Sequence, residues 1–321
     1  MQQYTSQEPR TRVTSIQSLP ESKIRFSSRL AHHFPALLNP ARVLLLYLLL
    51  GTILMSCKPA DRSSKDRYVV LSPEVAEILA AIGGADRIVG ITDECTYPAE
   101  LQSIPSVGKF GALNKEKIYA LKPSVIFSTG LEQDAIASEF AKLGYKVETI
   151  YPKSLAGMIS EIRHVGDITG LQAGAKALAD SMQTAIQTAR QSSAGNARPK
   201  VYIEIYRDPL MSVSDQSFVG ELIEAAGGDN IFGTLERDYA RVKPEDVVAA
   251  NPDIIICYSQ DTLPNMLSRK GWQRIPAIRN RRVYFEADIN PDLIQRAGPR
   301  SIMGIKQLQQ IFAELRTATH E

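Results

Sequence analysis

The 321-residue sequence predicts an α/β fold of two similar lobes, each a mainly parallel sheet with flanking helices, joined by one long helix. Three observations carry that reading. EKIYALKPSVIF at 116–127 returns as EDVVAANPDIII at 245–256, each a Glu with an aliphatic residue two places on, Ala at four, Pro at seven, then an apolar run. EILAAIGGADRIVG at 77–90 likewise matches ELIEAAGGDNIFG at 221–233 with one residue deleted. Between the echoes, Leu171 to about Ser192 contains no Pro, and Leu178, Met182, Ala185, Ile186 and Ala189 form one apolar stripe at helical spacing. Gly stops and Pro-led strands recur in many α/β proteins, so either echo alone says little. Two in the same order argue for lobes built alike.

The N-terminal lobe, 67–170, opens with a strand at Arg67–Leu71. Ser72-Pro73 then supplies a helix cap and first turn. Val75, Ile78, Leu79 and Ile82 share a helical face, and Gly83-Gly84 ends it. A strand IVGIT at 88–92 leads into DECTYPAELQSIPSVGKFGALN, too long for a plain connector. Asn114 caps the helix of the first echo, Pro123 introduces strand SVIFST, and a helix at 131–143 precedes a strand at 146–151. The connecting helix, 171–194, is about 33 Å long, enough to span both lobes. A stiff helix hinges poorly, so the lobes are expected to move little. The C-terminal lobe, 195–321, repeats the scheme with strand VYIEIY at 201–206 and a helix at 217–226 stopped by Gly227-Gly228. Strands alternating with helices imply parallel sheets covered on both faces.

Net charge is +2 with 22% charged residues, which gives no polybasic surface and predicts no nucleic-acid partner. The imbalance lies in residues 1–56, with six Lys/Arg against two Asp/Glu, leaving 31 basic and 33 acidic residues beyond. VLLLYLLLGTILM at 43–55 is too short to span a bilayer comfortably but suits a signal-peptide core. Leu54-Met55-Ser56-Cys57 resembles the bacterial lipobox, in which the Cys becomes the lipidated first residue. Residues 1–56 are therefore read as a signal peptide, 57–66 as a polar tether, and the mature chain as a membrane-anchored lipoprotein on the periplasmic or cell-envelope side. A single membrane anchor with an incidental Cys is the other reading. Forty residues before the apolar run make a long leader, which points to a start later than Met1.

Enzyme chemistry finds no foothold. The sequence has no G-x-S-x-G elbow, no P-loop and no H-E-x-x-H, and His164 and His320 are badly placed to serve a nucleophile. The missing P-loop also excludes a transporter ATPase, and a lone apolar segment excludes a permease. With only those two His beyond the signal region, a bare Zn²⁺ or Mn²⁺ site is not expected.

An ordered series of motifs over 67–315 resembles one family. SPEVAEILAAIGGADRIVGIT, the YP of the long loop, NKEKIYALKP, FVGELIEAAGGDNIF, VKPEDVVAANPDIII, WQRIPAIRNRRVY and RAGPR are similar to ABC-importer substrate-binding proteins with a helical backbone between two lobes. That family includes binders of vitamin B12, ferric siderophores and haem, and the pattern is nearest the vitamin B12 branch. The resemblance implies a monomer that holds a ligand between its lobes, needs no cofactor, and delivers to a permease dimer driven by an ATPase. It also implies that Glu116 and Glu245 dock onto the two permease subunits; the other reading is a Glu that merely favours the positive end of each helix.

Ligand contacts implied by the same match are Tyr97, Phe110 and Tyr239, whose rings suit a flat macrocycle or else fill the core. Arg296 either meets a ligand carboxylate, phosphate or amide, or caps a helix. Arg207 is a further cleft candidate, and Trp272 is read as core. Cys95 and Cys257 are placed on cleft-facing loops as thiolate metal ligands, as a disulfide, or as plain residues. A corrinoid ranks first, a ferric siderophore next and haem lower, because GKFGALN offers Phe110 where haem binders often carry a Tyr. A surface lipoprotein that recruits a partner protein is the remaining alternative.

Overall fold

A computed structural model describes residues 66–130 and 133–317. The apolar run at 43–55 and Cys57 lie outside the described residues. Among the described residues no helix is long and apolar enough to cross a membrane.

Strand β1 (Tyr68–Val70) leads to Ser72, whose hydroxyl accepts the Val75 N–H at 3.4 Å and caps α1 (Pro73–Ala81). Gly83 follows at φ +88°, a backbone shape that glycine takes without steric cost. Next come β2 (Ile88–Ile91), the hairpin strands β3 (Gly108–Lys109) and β4 (Ala112–Leu113), α2 (Lys115–Leu121), β5 (Val125–Ser128), α3 (Asp134–Lys142), β6 (Val147–Thr149) and α4 (Leu155–Thr169). The lobe's sheet is parallel in the order β2-β1-β5-β6. The long helix α5 (Gln172–Ser193) then crosses to the second lobe.

That lobe contains β7 (Lys200–Glu204), β8 (Tyr206–Arg207), β9 (Leu210–Val213), α6 (Phe218–Ala226), β10 (Asp229–Asn230), β11 (Tyr239–Arg241), α7 (Pro244–Ala250), β12 (Ile254–Cys257), α8 (Leu263–Ser268), α9 (Pro276–Arg279), β13 (Val283–Tyr284), α10 (Pro291–Ile294) and α11 (Ser301–Thr317). Its parallel sheet runs β10-β7-β12-β13, the order of the first lobe. The expected pair of like lobes is present. The repeat extends to single residues. Helices α2 and α7 each bury one side chain, Ile118 or Val247, and each ends on a left-handed non-glycine, Lys122 at φ 48° or Asn251 at φ 57°. Each then meets Pro and enters the strand that sits third in its sheet.

Several elements escaped the sequence reading, among them the long helix α11. The long loop folds its second half into the β3–β4 hairpin, α4 fills 155–169, and Tyr206 leaves β7 to pair with β9 in an antiparallel sheet ordered β11-β9-β8. The stripe on α5 is buried at Ala175, Ala179, Met182, Ile186 and Ala189, with Leu178 and Ala185 partly covered. Gly174 brings α5 so near α1 that a Cβ there would meet the Ile82 carbonyl oxygen at 2.7 Å.

The lobes share one apolar core running from Tyr68 and Phe127 through Met158 and Ile186 to Val201 and Phe312. Polar ties reinforce it, and they come from the second echo. Glu77 on α1 receives the Arg300 guanidinium at 2.6 and 2.9 Å, just ahead of α11 in the opposite lobe. Glu221, its counterpart on α6, accepts the Leu155 N–H at 2.7 Å, at the start of α4 in the first lobe. Each repeated Glu thus grips the start of the other lobe's last helix. A shared core and crossed ties join the two lobes.

Candidate functional site

The carboxyl ends of parallel strands are where open α/β sheets receive ligands. Here the segments after β1, β6, β9 and α10 converge on an open well between the lobes, with a cavity volume of about 40 Å³. Glu74, Tyr151 and Lys153 come from the first lobe and Ser217, Asp238 and Tyr239 from the second. The well is too small to enclose a macrocycle.

Tyr239 is positioned by β11, paired with β9 through Val213, and burial together with the nearby Tyr151 and Asp238 pushes its phenol up to about 12. It offers a neutral ring and hydroxyl at neutral pH. Glu74 lies in the first turn of α1, and burial pushes its carboxyl up, opposed by hydrogen bonds from its own backbone and Ser72 and by the charge of Arg296. Lys153 and Asp238 face each other across the lobes at 3.9 Å.

Of the six side chains expected to touch ligand, only Tyr239 lines the well. Tyr97 is 47% exposed and lays its ring 4.4 Å from the Arg300 guanidinium, beside Glu77 and Met303. Phe110 is partly buried in the β3–β4 turn, its N–H held by the Glu94 carboxylate at 3.1 Å. Arg296 pairs with Asp292 at 3.0 Å through Nε, while its Nη1 is buried without a hydrogen-bond partner. Arg207 pairs with Asp208 at 3.0 Å and Asp261 at 3.7 Å and belongs to a different depression, shared with Glu245.

Cys95 requires correction. It is 2% exposed, 3.5 Å from the Thr92 hydroxyl, and burial pushes its thiol up to about 11, so it is an interior thiol and not a cleft thiolate. Cys257 is also buried, with its thiol pushed up by burial, and the two do not pair. Among the described residues no His/Cys/Asp/Glu cluster suits a metal ion.

The residues of the interlobe tie and the well that the sequence reading missed are Glu77, Arg300 and Glu74. Arg300 stands in the same RAGPR motif as Arg296, and Glu77 and Glu221 were both visible in the second echo. Glu74 gave no signal beyond a Glu suited to a helix start.

Glu116 and Glu245 occupy matched places, exposed in the first turns of α2 and α7. Neither makes a hydrogen bond or ion pair among the described residues. The depression below Glu245 is backed by buried charge: Arg269 binds Glu204 at 2.6 and 2.9 Å, also reaches Asp261, and stacks 4.3 Å from Trp272, which is core as expected.

A family model described as periplasmic binding protein matches residues 69–288. An uncharacterised ABC transporter substrate-binding lipoprotein, YvrC of Bacillus subtilis, is 29% identical over 76% of this chain and 79% of its own length. A vitamin B12-binding protein of Vibrio vulnificus is 23% identical over 84% of this chain and 96% of its own. Among solved structures, the periplasmic haem-binding protein RhuT of Roseiflexus superposes with TM-score 0.69 at 23% identity, covering 78% of this chain and 99% of that one. With the family model spanning well over half its length, this chain belongs to the periplasmic binding protein family.

Proposed function

We propose that the chain is the lipid-anchored substrate-binding component of an ABC importer, which holds a corrinoid between its lobes and presents it to a permease dimer. One observation carries this reading: two like lobes place two unpaired acids, Glu116 and Glu245, at the same point of the repeat, on either side of an interlobe well. A symmetric membrane dimer needs two like handles. Relatives named for ABC-transporter substrate binding and for vitamin B12 binding support it. Haem or a ferric siderophore in the same role is the second reading, and the two Tyr rings at the well suit haem as well as a corrin. Calorimetric titration with cyanocobalamin, haemin and a ferric hydroxamate separates these ligands. Silence from all three favours a lipoprotein that recruits a partner protein.

Truncating the ring at the well should weaken binding. Tyr239→Ala is expected to cost about 1 kcal/mol or more, some fivefold in Kd. An unchanged Kd moves the ligand off β11. Anchoring is tested at Cys57: Cys57→Ala should release the protein from the membrane fraction. A variant that stays membrane-bound points to an uncleaved apolar anchor.

A further inference from the structure

The well is poor in available positive charge. Lys153, the one cation among its described lining residues, already faces Asp238 at 3.9 Å, and Arg296 spends its Nε on Asp292 at 3.0 Å while its Nη1 is buried. Glu74 also faces the well, with no Lys or Arg within ion-pair distance among the described residues. Ser217, Gln295 and the Tyr239 phenol line the same well as neutral hydrogen-bonding groups, and the charges that reach Glu74, Arg296 and Asp292, are paired with each other at 3.0 Å.

We propose that Glu74 is a specificity-determining residue that selects ligands presenting neutral amide, hydroxyl or amine donors to the well and rejects those presenting a carboxylate. The proposal rests on the interlobe well being the ligand site. An amide N–H donates to the Glu74 carboxylate, whereas a ligand carboxylate in the same place meets a like charge, and the nearest cations, Lys153 and Arg296, are already paired with Asp238 and Asp292. Rejection by an unpaired like charge is a repulsive device for selectivity. Withdrawal from water strengthens the repulsion, and because burial also pushes the Glu74 carboxyl up, the discrimination weakens as pH falls. A corrin periphery bearing uncharged amides fits the well as it stands. A macrocycle that directs propionates into it does not.

The test uses pairs that differ by one charge. The full-length protein in lipid nanodiscs is titrated with cyanocobalamin and with each of its peripheral monocarboxylic acids. A ferric trihydroxamate bearing a free amine is compared with its succinylated, carboxylate-bearing form. At least one acid should bind tenfold or more weakly than its neutral or cationic partner. In Glu74→Gln and Glu74→Ala that ratio should fall to within about threefold. Pairs that bind without discrimination, or discrimination that survives both substitutions, overturn the role of Glu74 and leave the importer reading standing. Discrimination seen only in the hydroxamate pair keeps Glu74 and overturns the corrinoid ranking. Absence of binding by every probe overturns both.

Discussion

Arg300→Ala should destabilise the folded chain by about 3–5 kcal/mol, because it strands a buried carboxylate. The Glu77 side chain is only 3% exposed, and Arg300 supplies both of its ion-pair contacts from the opposite lobe. The substitution also removes the 3.2 Å contact to Asp292 and the cation under the Tyr97 ring. Burial already pushes the Glu77 carboxyl up against the opposing pull of Arg300. Without that pull the folded-state pKa rises further above the unfolded one, and the variant should regain stability as pH falls through that raised value. The deficit is therefore greatest at neutral pH and shrinks in acid. Removing both partners with apolar residues, Glu77→Leu with Arg300→Met, should recover much of the loss, since no charge is then left unpaired. Chemical denaturation at several pH values checks this. A deficit under 1 kcal/mol at pH 7 would mean that water or a rearranged side chain rescues Glu77, and that the tie between lobes is weak.

The tie shows where sequence reading reached and where it stopped. Local signals were legible because they act within a few residues: Ser72 and Asn114 cap their helices, Gly83 and Gly227 end them in left-handed conformations, and Pro123 and Pro252 precede strands. The echoes supplied the architecture, since the same helix-then-strand phrase takes the same place in two sheets of the same order. What stayed hidden depends on a partner far along the chain. Glu77 reads as a polar residue on the outer face of α1, yet it is buried because that face meets Arg300, 223 residues away. Arg296 and Arg300 stand four apart in one motif, and nothing in the sequence says which reaches across the lobes. Cys95 follows the same rule: a loop position suggested exposure, but the turn after β2 folds the thiol back towards Val70. The β3–β4 hairpin was hidden for another reason, as two-residue strands carry too little alternation to register.

The largest functional effect is expected from Glu116→Ala combined with Glu245→Ala. Ligand uptake by cells or proteoliposomes carrying the cognate permease should fall at least tenfold, while ligand affinity stays within about twofold, because both acids lie outside the well. Each single variant should fall between, since one handle still engages one subunit. The two residues have no internal work that explains them. Helix α2 already has the Asn114 side chain on the Lys117 N–H at 2.9 Å, and α7 carries Asp246 as a second first-turn acid beside Glu245. A first-turn acid favours the helix dipole by only a few tenths to 1 kcal/mol, so the double variant should fold normally. Contacts at the rim of an interface act mainly on encounter and orientation, and the uptake defect should therefore show as a slower association rate with the permease. Raising the salt concentration should slow association of the unsubstituted protein towards that of the variant, because exposed charges are screened within about 8–10 Å at physiological ionic strength. Uptake that survives the double substitution would leave the two acids as helix-start residues alone, and the matched surfaces of α2 and α7 would lose their claim to face a membrane partner.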